Sequence, residues 1–178
     1  MPELTIAILM GGESKRMGRD KAFVKWKGKT FLEHLYQELS FYNKNIVLSV
    51  NNDQYLKLKN SYTCILDEEP KKGPLGGIYS VLNQLESDVI FFAVDMPESY
   101  PLYEPLVKRE GNVCFTLNNK IQSLPLKLSS NTKGEVFLNI QNNNLKLKSY
   151  IESIKCNIIE VQGNKCLLNV NNFCILNV

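Results

Sequence analysis

The sequence predicts an α/β fold in which a mostly parallel sheet carries helices on both faces. Short apolar runs alternate with amphipathic stretches through the first half of the chain, which is the pattern of successive β-α-β units. The apolar runs show no alternation with polar residues, which indicates strands buried on both faces. The length of 178 residues suits one compact domain, and we therefore assign residues 1–178 to a single domain.

The first half supplies four strands with helices between them. The strands are predicted from apolar runs at 5–10, 46–50, 63–66 and 89–94. The helix after the first strand begins at a capping box formed by Thr30 and Glu33. Its apolar face contains Phe31, Leu32, Leu35, Tyr36 and Leu39. The next two crossover helices are predicted at 54–59 and 77–85.

The second half is less regular and predicts a hairpin, two helices and two late strands. The hairpin joins 113–117 to 122–128 through a turn at Asn118-Asn119. The helices are expected at 132–142 and 145–155, and the first of them begins with a second T-x-x-E pattern, at Thr132 and Glu135. The late strands are expected at 158–161 and 167–170.

Composition and charge exclude several classes of protein. The net charge of +3 is too small to indicate a nucleic-acid partner, and no apolar run approaches the length of a membrane span. The five cysteines form no C-x-x-C pair and have no histidine nearby to complete a zinc site. Without a signal peptide, they are expected to be buried thiols in a reducing cytoplasm. They are Cys64, Cys114, Cys156, Cys166 and Cys174.

The most informative segment is the glycine-rich stretch that follows the first strand. It begins with Gly11 and Gly12 and continues with four cations, Lys15, Arg16, Arg19 and Lys21. Glycine allows backbone N–H groups to approach an anion closely, and the cations neutralise its charge. A strand that leads into such a loop is typical of the phosphate sites of open α/β sheets. The alternative is an ordinary strand-to-helix turn with solvated cations.

Two familiar phosphate-binding patterns do not match this loop. A P-loop requires G-x-x-x-x-G-K-[ST], whereas Gly18 is followed here by Arg19, Asp20 and Lys21. The dinucleotide fingerprint requires G-x-G-x-x-G, which the residues after Gly11 do not supply. The sequence therefore predicts a third kind of phosphate loop.

Two further segments place chemically useful residues after predicted strands. Asp95 follows the fourth strand and is expected to point into the crevice where open α/β sheets bind ligands. A carboxylate beside a phosphate chain is a natural Mg²⁺ ligand, and the alternative is that Asp95 caps the next helix. Asp67 follows the third strand and is expected to reach the same crevice. Residues 73–77 are predicted to form a tight loop that presents backbone groups to a nucleobase, or else a simple strand-to-helix connection.

These segments resemble the motifs of molybdenum cofactor guanylyltransferases. The stretch at 9–21, L-M-G-G-E-S-K-R-M-G-R-D-K, is similar to the family signature L-A-G-G-x-S-x-R-M-G-x-D-K. G-P-L-G-G-I at 73–78 is similar to the family's G-P-L-A-G-I, D-M-P at 95–97 to its D-x-P, and N-V-N-N at 169–172 to its N-V-N-T-P. The order and spacing also agree, and the resemblance runs over nearly the whole chain.

The resemblance implies a three-layer αβα sandwich, which is the Rossmann-like nucleotidyltransferase fold. It implies transfer of GMP from GTP to the terminal phosphate of the molybdopterin-molybdenum cofactor, with release of pyrophosphate. Mg²⁺ is the implied cofactor, because cations must offset the repulsion between two polyanionic substrates. Transient contact with the proteins of cofactor assembly is also implied.

The resemblance also assigns roles to the matching positions. The catalytic residues are Arg16, Lys21 and Asp95, and Asp95 is also the metal ligand. The nucleotide-binding residues are Leu9, Met10, Gly11, Gly12, Lys21, Ser49, Asp67, Gly73, Pro74, Leu75 and Asp95. The residues on the molybdopterin side are Asn169 and Asn171.

Two alternatives stay open at this point. An enzyme of the same fold with another base or acceptor is the nearer one, and molybdenum cofactor cytidylyltransferases typically read L-A-A-G in the first loop. Gly12 in place of the second alanine favours guanine by resemblance. The other alternative is a nucleotide-binding module without catalysis, which would not require a metal carboxylate such as Asp95.

Overall fold

A computed structural model describes residues 4–11, 20–69 and 71–161 of the chain. These residues form a seven-stranded sheet, a separate two-stranded hairpin, and helices that pack on both faces of the larger sheet. The predicted α/β fold with αβα layers is therefore confirmed. The strand predicted at 167–170 lies outside the described residues. None of the helices in the described ranges is long and apolar enough to cross a membrane.

The first half follows the predicted alternation of strands and helices. In chain order its elements are β1 (Thr5–Leu9), β2 (Lys25–Trp26), β3 (Lys29–Thr30), α1 (Phe31–Ser40), β4 (Ile46–Val50), α2 (Asn52–Leu58), β5 (Cys64–Leu66), α3 (Gly73–Gln84) and β6 (Val89–Ala93). The β2–β3 hairpin was not predicted, because two-residue strands are too short to show a periodic pattern. The capping box of α1 is present as predicted: Thr30 and Glu33 each accept a hydrogen bond from the other's backbone N–H.

The second half contains α4 (Tyr103–Val107), β7 (Val113–Leu117), β8 (Lys120–Leu128), α5 (Lys133–Gln141), α6 (Leu147–Ser153) and β9 (Asn157–Glu160). The predicted turn between β7 and β8 is confirmed, and Asn118 and Asn119 have φ angles of 50° and 59°. A two-residue turn with both φ angles positive matches the right-handed twist of the strands it joins. The second capping box is wrong, because the Thr132 hydroxyl donates to the Ser129 carbonyl oxygen at 2.6 Å instead of capping α5.

The order of strands in the large sheet is β5-β4-β1-β6-β8-β7-β9. Of the seven strands described in this sheet, only β8 runs antiparallel to both of its neighbours. The chain proceeds from β1 outward through β4 to β5 and then returns to the other side of β1 as β6. The strand order therefore reverses at β1, and in open α/β sheets the crevice at such a reversal is where ligands bind.

Each face of the sheet has its own apolar core. On one face α1 buries Leu32, Leu35 and Leu39 against the strands. On the other face α3, α5 and α6 pack on the sheet, with Ile78 and Tyr150 fully buried. Two cores on opposite faces leave the carboxyl edge of the parallel strands as the surface on which β1, β4, β5 and β6 all end.

Candidate active site

The candidate site lies where four parallel strands end side by side. Leu9, at the end of β1, is aligned with Ser49 of β4 and with Ala93 of β6. Ser49 is aligned in turn with Ile65 of β5. The residues that follow these strands, which include Asp67 and Asp95, therefore emerge at one edge of the sheet. The topology thus brings together segments that are up to 86 residues apart in the sequence (9 to 95).

Lys21 and Asp95 meet at this edge. Lys21 lies in a short 3-10 helix (Lys21–Phe23), and its Nζ donates to Asp95 Oδ2 at 3.4 Å. Their side chains are 20% and 21% exposed. Both charged groups are thus mostly shielded from solvent, and a fifth of each side chain is open at the edge where the strands end. The alternative that Asp95 caps the next helix is wrong, because the next helical segment is a 3-10 turn at Tyr100–Leu102 and its N-cap is Ser99.

Asp67 is held at the same edge by a buried serine. Ser49 is 3% exposed, and its Oγ donates to Asp67 Oδ1 at 2.6 Å. Burial raises the pKa of Asp67 above its ordinary value, and the hydrogen bond from Ser49 opposes this shift. The Ser49 hydroxyl is therefore engaged inside the protein, where it orients the Asp67 carboxylate.

The segment at 73–77 is not the loop that the sequence predicted. It forms the first turns of α3, which begins at Gly73 with Pro74 in the first turn. The ring of Pro74 presets a helical φ angle, and its missing N–H costs nothing at a helix start. The glycines are needed for packing, since a Cβ on Gly77 would lie 2.5 Å from Ser49 Oγ and one on Gly76 would lie 2.5 Å from the Glu69 carbonyl oxygen. The first turn of a helix has N–H groups without a carbonyl partner inside the helix, so α3 offers helical backbone donors at the place where the sequence predicts loop amides.

Several residues predicted to bind the nucleotide have buried side chains. Leu9 is 6% exposed, Met10 is 2% exposed and Leu75 is fully buried. Leu9 and Leu75 belong to the core on the α3 face, and Met10 belongs to the core on the α1 face. Their side chains therefore serve the core. Backbone groups of Leu9 and Met10 are also engaged at the sheet: the Leu9 carbonyl oxygen accepts from the Val94 N–H at 3.1 Å, and the Met10 N–H donates to the Ser49 carbonyl oxygen at 3.2 Å. Gly11 has a φ angle of 85°, a conformation that favours glycine.

Four predicted site residues lie outside the described residues: Gly12, Arg16, Asn169 and Asn171.

The structure adds one residue that the sequence reasoning missed. Gln54 is 3% exposed, and its Nε2 donates to Asp20 Oδ2 at 2.7 Å. Asp20 immediately precedes Lys21, and this contact therefore reaches the candidate site. The N-x-x-Q pattern at Asn51 and Gln54 was a detectable signal for a capping box, but the partner of the glutamine amide could not be read from the sequence.

The donor set at the edge fits a magnesium ion that is shared with a substrate. Within residues 4–11, 20–69 and 71–161, no three His, Cys, Asp or Glu side chains converge to hold a metal ion. Mg²⁺ is commonly bound through one or two carboxylates together with substrate phosphates and water. The carboxylate of Asp95, with a fifth of its side chain exposed, is a hard oxygen donor of the kind that such a site requires.

Asp67→Asn is expected to stabilise the fold near pH 7. The raised pKa means that folding disfavours the charged carboxylate, so the wild-type protein loses stability as pH rises from about 3.9, the unfolded value, to the folded pKa of Asp67. The neutral amide avoids this loss, and its advantage should disappear as pH falls below both values. Urea unfolding between pH 3.5 and 8 measures the difference.

The matched control is Asp53→Asn, which removes an exposed carboxylate in the first turn of α2. It should bring no gain in stability at any of these pH values. If Asp67→Asn is less stable than the wild-type protein at pH 7, burial of the Asp67 charge does not destabilise the fold.

Comparison with known proteins identifies the family of the chain. Residues 6–147 match the family model described as the MobA-like NTP transferase domain. A protein of Methanothermobacter thermautotrophicus named a probable molybdenum cofactor guanylyltransferase is 29% identical over 189 residues, covering 97% of this chain and 96% of that protein. A Clostridium perfringens protein of the same name is 37% identical over 99 residues, covering 54% of this chain. The matched part of this chain spans about half, 49%, of the length of the Clostridium relative.

Solved structures share the fold. Molybdopterin-guanine dinucleotide biosynthesis protein A from Archaeoglobus fulgidus matches with a TM-score of 0.69 and 18% identity over 97% of this chain and 87% of that chain. The 4-diphosphocytidyl-2C-methyl-D-erythritol synthase of Anaerococcus prevotii matches with a TM-score of 0.71 and 12% identity over 99% of this chain and 95% of that chain. At these identities the matches show the fold alone, a Rossmann-like αβα sandwich.

Proposed function

Because this chain belongs to the MobA-like NTP transferase family, we propose that it transfers GMP from GTP to the phosphate of the molybdopterin-molybdenum cofactor and releases pyrophosphate. The observation that carries the proposal is the pairing of Lys21 with Asp95 at the carboxyl edge of the sheet. A cation and a carboxylate at the reversal of the strand order are the groups that a metal-bound triphosphate requires. The name of the Methanothermobacter relative, which aligns over nearly its whole length, supports the choice of acceptor and base.

The reaction needs positioning and charge compensation more than a protein nucleophile. An oxygen of the acceptor phosphate attacks the α-phosphorus of GTP, the bond from that phosphorus to the bridging oxygen breaks, and pyrophosphate leaves with the electron pair. Both reactants are polyanions, so the site must offset their repulsion while it holds them in line. Lys21 supplies a cation for the phosphates, and Arg16 of the same loop is proposed to supply another.

Asp95 is the proposed ligand for a divalent metal ion, Mg²⁺. When bound, that ion would neutralise charge on the phosphate oxygens during transfer. The carboxylate of Asp95 stands at the end of β6 with a fifth of its side chain exposed, which leaves it accessible to a ligand.

The proposed nucleoside end of the site lies on the α3 side of the edge. Asp67 has its Oδ1 engaged by Ser49 and can accept a hydrogen bond from the guanosine. Gly73 and Leu75 are proposed to contribute backbone groups at the start of α3, and Gly11 after β1 is proposed to contribute another. Gly12 is proposed for the same role on the strength of its motif. Asn169 and Asn171 are proposed for the molybdopterin side on the strength of their motif.

A nucleotide competition assay tests the proposal. The protein is incubated with Mg²⁺, the molybdopterin-molybdenum cofactor and equal amounts of GTP, CTP, ATP and UTP. We expect the guanine dinucleotide to be the main product, formed together with pyrophosphate and only in the presence of the acceptor. Formation of a cytosine dinucleotide without the guanine product would show that the protein transfers CMP from CTP and not GMP from GTP. GTP binding without any dinucleotide would favour a nucleotide-binding module without catalysis.

A further inference from the structure

A buried glutamine connects α2 to the turn that carries Lys21. Gln54 is 34 residues away from Asp20 in the sequence, yet its Nε2 lies 2.7 Å from Asp20 Oδ2. Only 3% of the Gln54 surface is exposed. A buried amide this close to a carboxylate makes a charge-assisted hydrogen bond, which is stronger than one between neutral groups.

The orientation of the Gln54 amide is fixed by a second set of hydrogen bonds. Gln54 Oε1 accepts from the Asn51 backbone N–H at 3.1 Å, and the Gln54 backbone N–H donates to Asn51 Oδ1 at 3.0 Å. This reciprocal capping box uses the amide oxygen at the start of α2. The amide NH₂ group of Gln54 therefore faces Asp20. Through its amide oxygen and its amide nitrogen, Gln54 connects Asn51, which follows β4, to Asp20.

Asp20 in turn fixes the backbone of the short helix that begins at Lys21. While Oδ2 accepts from Gln54, Oδ1 accepts from the Ala22 backbone N–H at 3.1 Å, and Asp20 is the N-cap of the 3-10 helix Lys21–Phe23. Both carboxylate oxygens of Asp20 are thus engaged, one by the Gln54 side chain and the other by the Ala22 backbone. The backbone of Lys21 is held between Asp20 and Ala22, with its Nζ at 3.4 Å from Asp95 Oδ2.

We propose that Gln54 is a positioning residue for nucleotide binding and transfer, and that it acts by holding Asp20 so that Lys21 stays beside Asp95. This inference rests on the proposed function. Gln54 is a neutral donor, so it orients Asp20 without adding another cation next to Lys21. Because a displacement of about 1 Å in a positioned group can lower a rate by about 100-fold, loss of the contact should be visible in the kinetics.

The test exchanges the donor and acceptor of the contact. Gln54→Glu keeps an oxygen for the capping box, where glutamate is favourable, but places a carboxylate against Asp20. Asp20→Asn combined with Gln54→Glu restores a donor opposite an acceptor with the same total charge. We expect Gln54→Glu to raise the Kd for Mg²⁺-GTP and to lower kcat/KM for GTP by about 10-fold or more. The double variant should recover to within about threefold of the wild-type protein.

Gln37→Glu on the exposed side of α1 is the matched control, since it makes the same chemical change away from Asp20. It should leave the Kd for Mg²⁺-GTP unchanged within about twofold. A Gln54→Glu protein with wild-type Kd and kcat/KM would overturn the inference, as would a double variant that remains as impaired as the single one. Thermal unfolding of each variant separates positioning from general destabilisation, because a Gln54→Glu protein that is fully folded at the assay temperature and still binds Mg²⁺-GTP weakly has lost positioning and not its fold.

Direct titration of Mg²⁺-GTP distinguishes failure of this inference from failure of the proposed function. A wild-type protein that binds GTP but forms no dinucleotide overturns the transfer reaction, and the effect of Gln54 is then decided by the Kd alone. A wild-type protein that does not bind GTP overturns both.

Discussion

Asp95→Ala is expected to abolish GMP transfer and to leave the fold intact. Its carboxylate is the proposed metal ligand at the edge of the sheet, and removal of one preorganised charged group from such a site typically costs at least about 100-fold in rate. Asp95 and Lys21 lie 3.4 Å apart with about a fifth of each side chain exposed. At this separation, and with part of each side chain still in contact with solvent, the pair is expected to contribute only about 1 kcal/mol to stability, so the Tm should change by no more than a few degrees.

The measurement is the rate of guanine dinucleotide formation at increasing Mg²⁺ concentration, together with thermal unfolding of each variant. Glu98→Ala is the matched control, because Glu98 lies three residues further along the same segment and pairs with Lys27 at 2.8 Å. It should keep a rate within a few fold of the wild-type protein. Full activity of Asp95→Ala would remove Asp95 from the mechanism, and equal losses in both variants would point to disruption of the segment itself.

Gly77→Ala is expected to weaken both the fold and GTP binding. The added Cβ would stand 2.5 Å from Ser49 Oγ and 3.2 Å from Leu9 Cδ2. Either Ser49 gives up its hydrogen bond to Asp67 or α3 moves away from the strand ends. Overpacking of this kind costs about 1–3 kcal/mol, and displacement of Asp67 should raise the Kd for GTP by about 10-fold.

Two glycine variants serve as controls for Gly77→Ala in urea unfolding and GTP titration. Gly134→Ala adds the same methyl group to α5, where nothing lies within 4 Å, and it should stabilise the fold by about 0.5–1 kcal/mol. Gly76→Ala meets the Glu69 carbonyl oxygen and should destabilise α3 by an amount comparable to Gly77→Ala, with a smaller effect on GTP. Unchanged stability and affinity in Gly77→Ala would show that Ser49 and Asp67 can move to accommodate the added methyl group without loss of folding or binding free energy.

The elements that the sequence predicts well are governed by residues close together in the chain. The capping box of Thr30 and Glu33 spans four residues, and the turn at Asn118 and Asn119 spans two. In both cases the side chains satisfy or permit the backbone conformation beside them, so a short window contains the whole cause. The buried parallel strands are also visible in short windows, because burial on both faces requires an unbroken apolar run.

The wrong predictions have a common physical origin. Residues 73–77 are rich in glycine, which in isolation favours a loop, but the close approach of α3 to Ser49 and to Glu69 requires glycine inside a helix. The Thr132 hydroxyl has an acceptor at Ser129 in the preceding turn, and this local bond takes the place of the expected cap. In each case a packing or hydrogen-bonding partner outside the pattern changed the outcome.

The sequence by itself determined the α/β fold, and it indicated Lys21 and Asp95 as candidate site residues. Only the tertiary structure decided which side chains meet at the carboxyl edge of the sheet. The contacts Ser49–Asp67, Gln54–Asp20 and Lys21–Asp95 join residues 18, 34 and 74 positions apart. Such contacts depend on the order and register of β1, β4 and β6, which are fixed by packing of the whole chain and not by any local pattern.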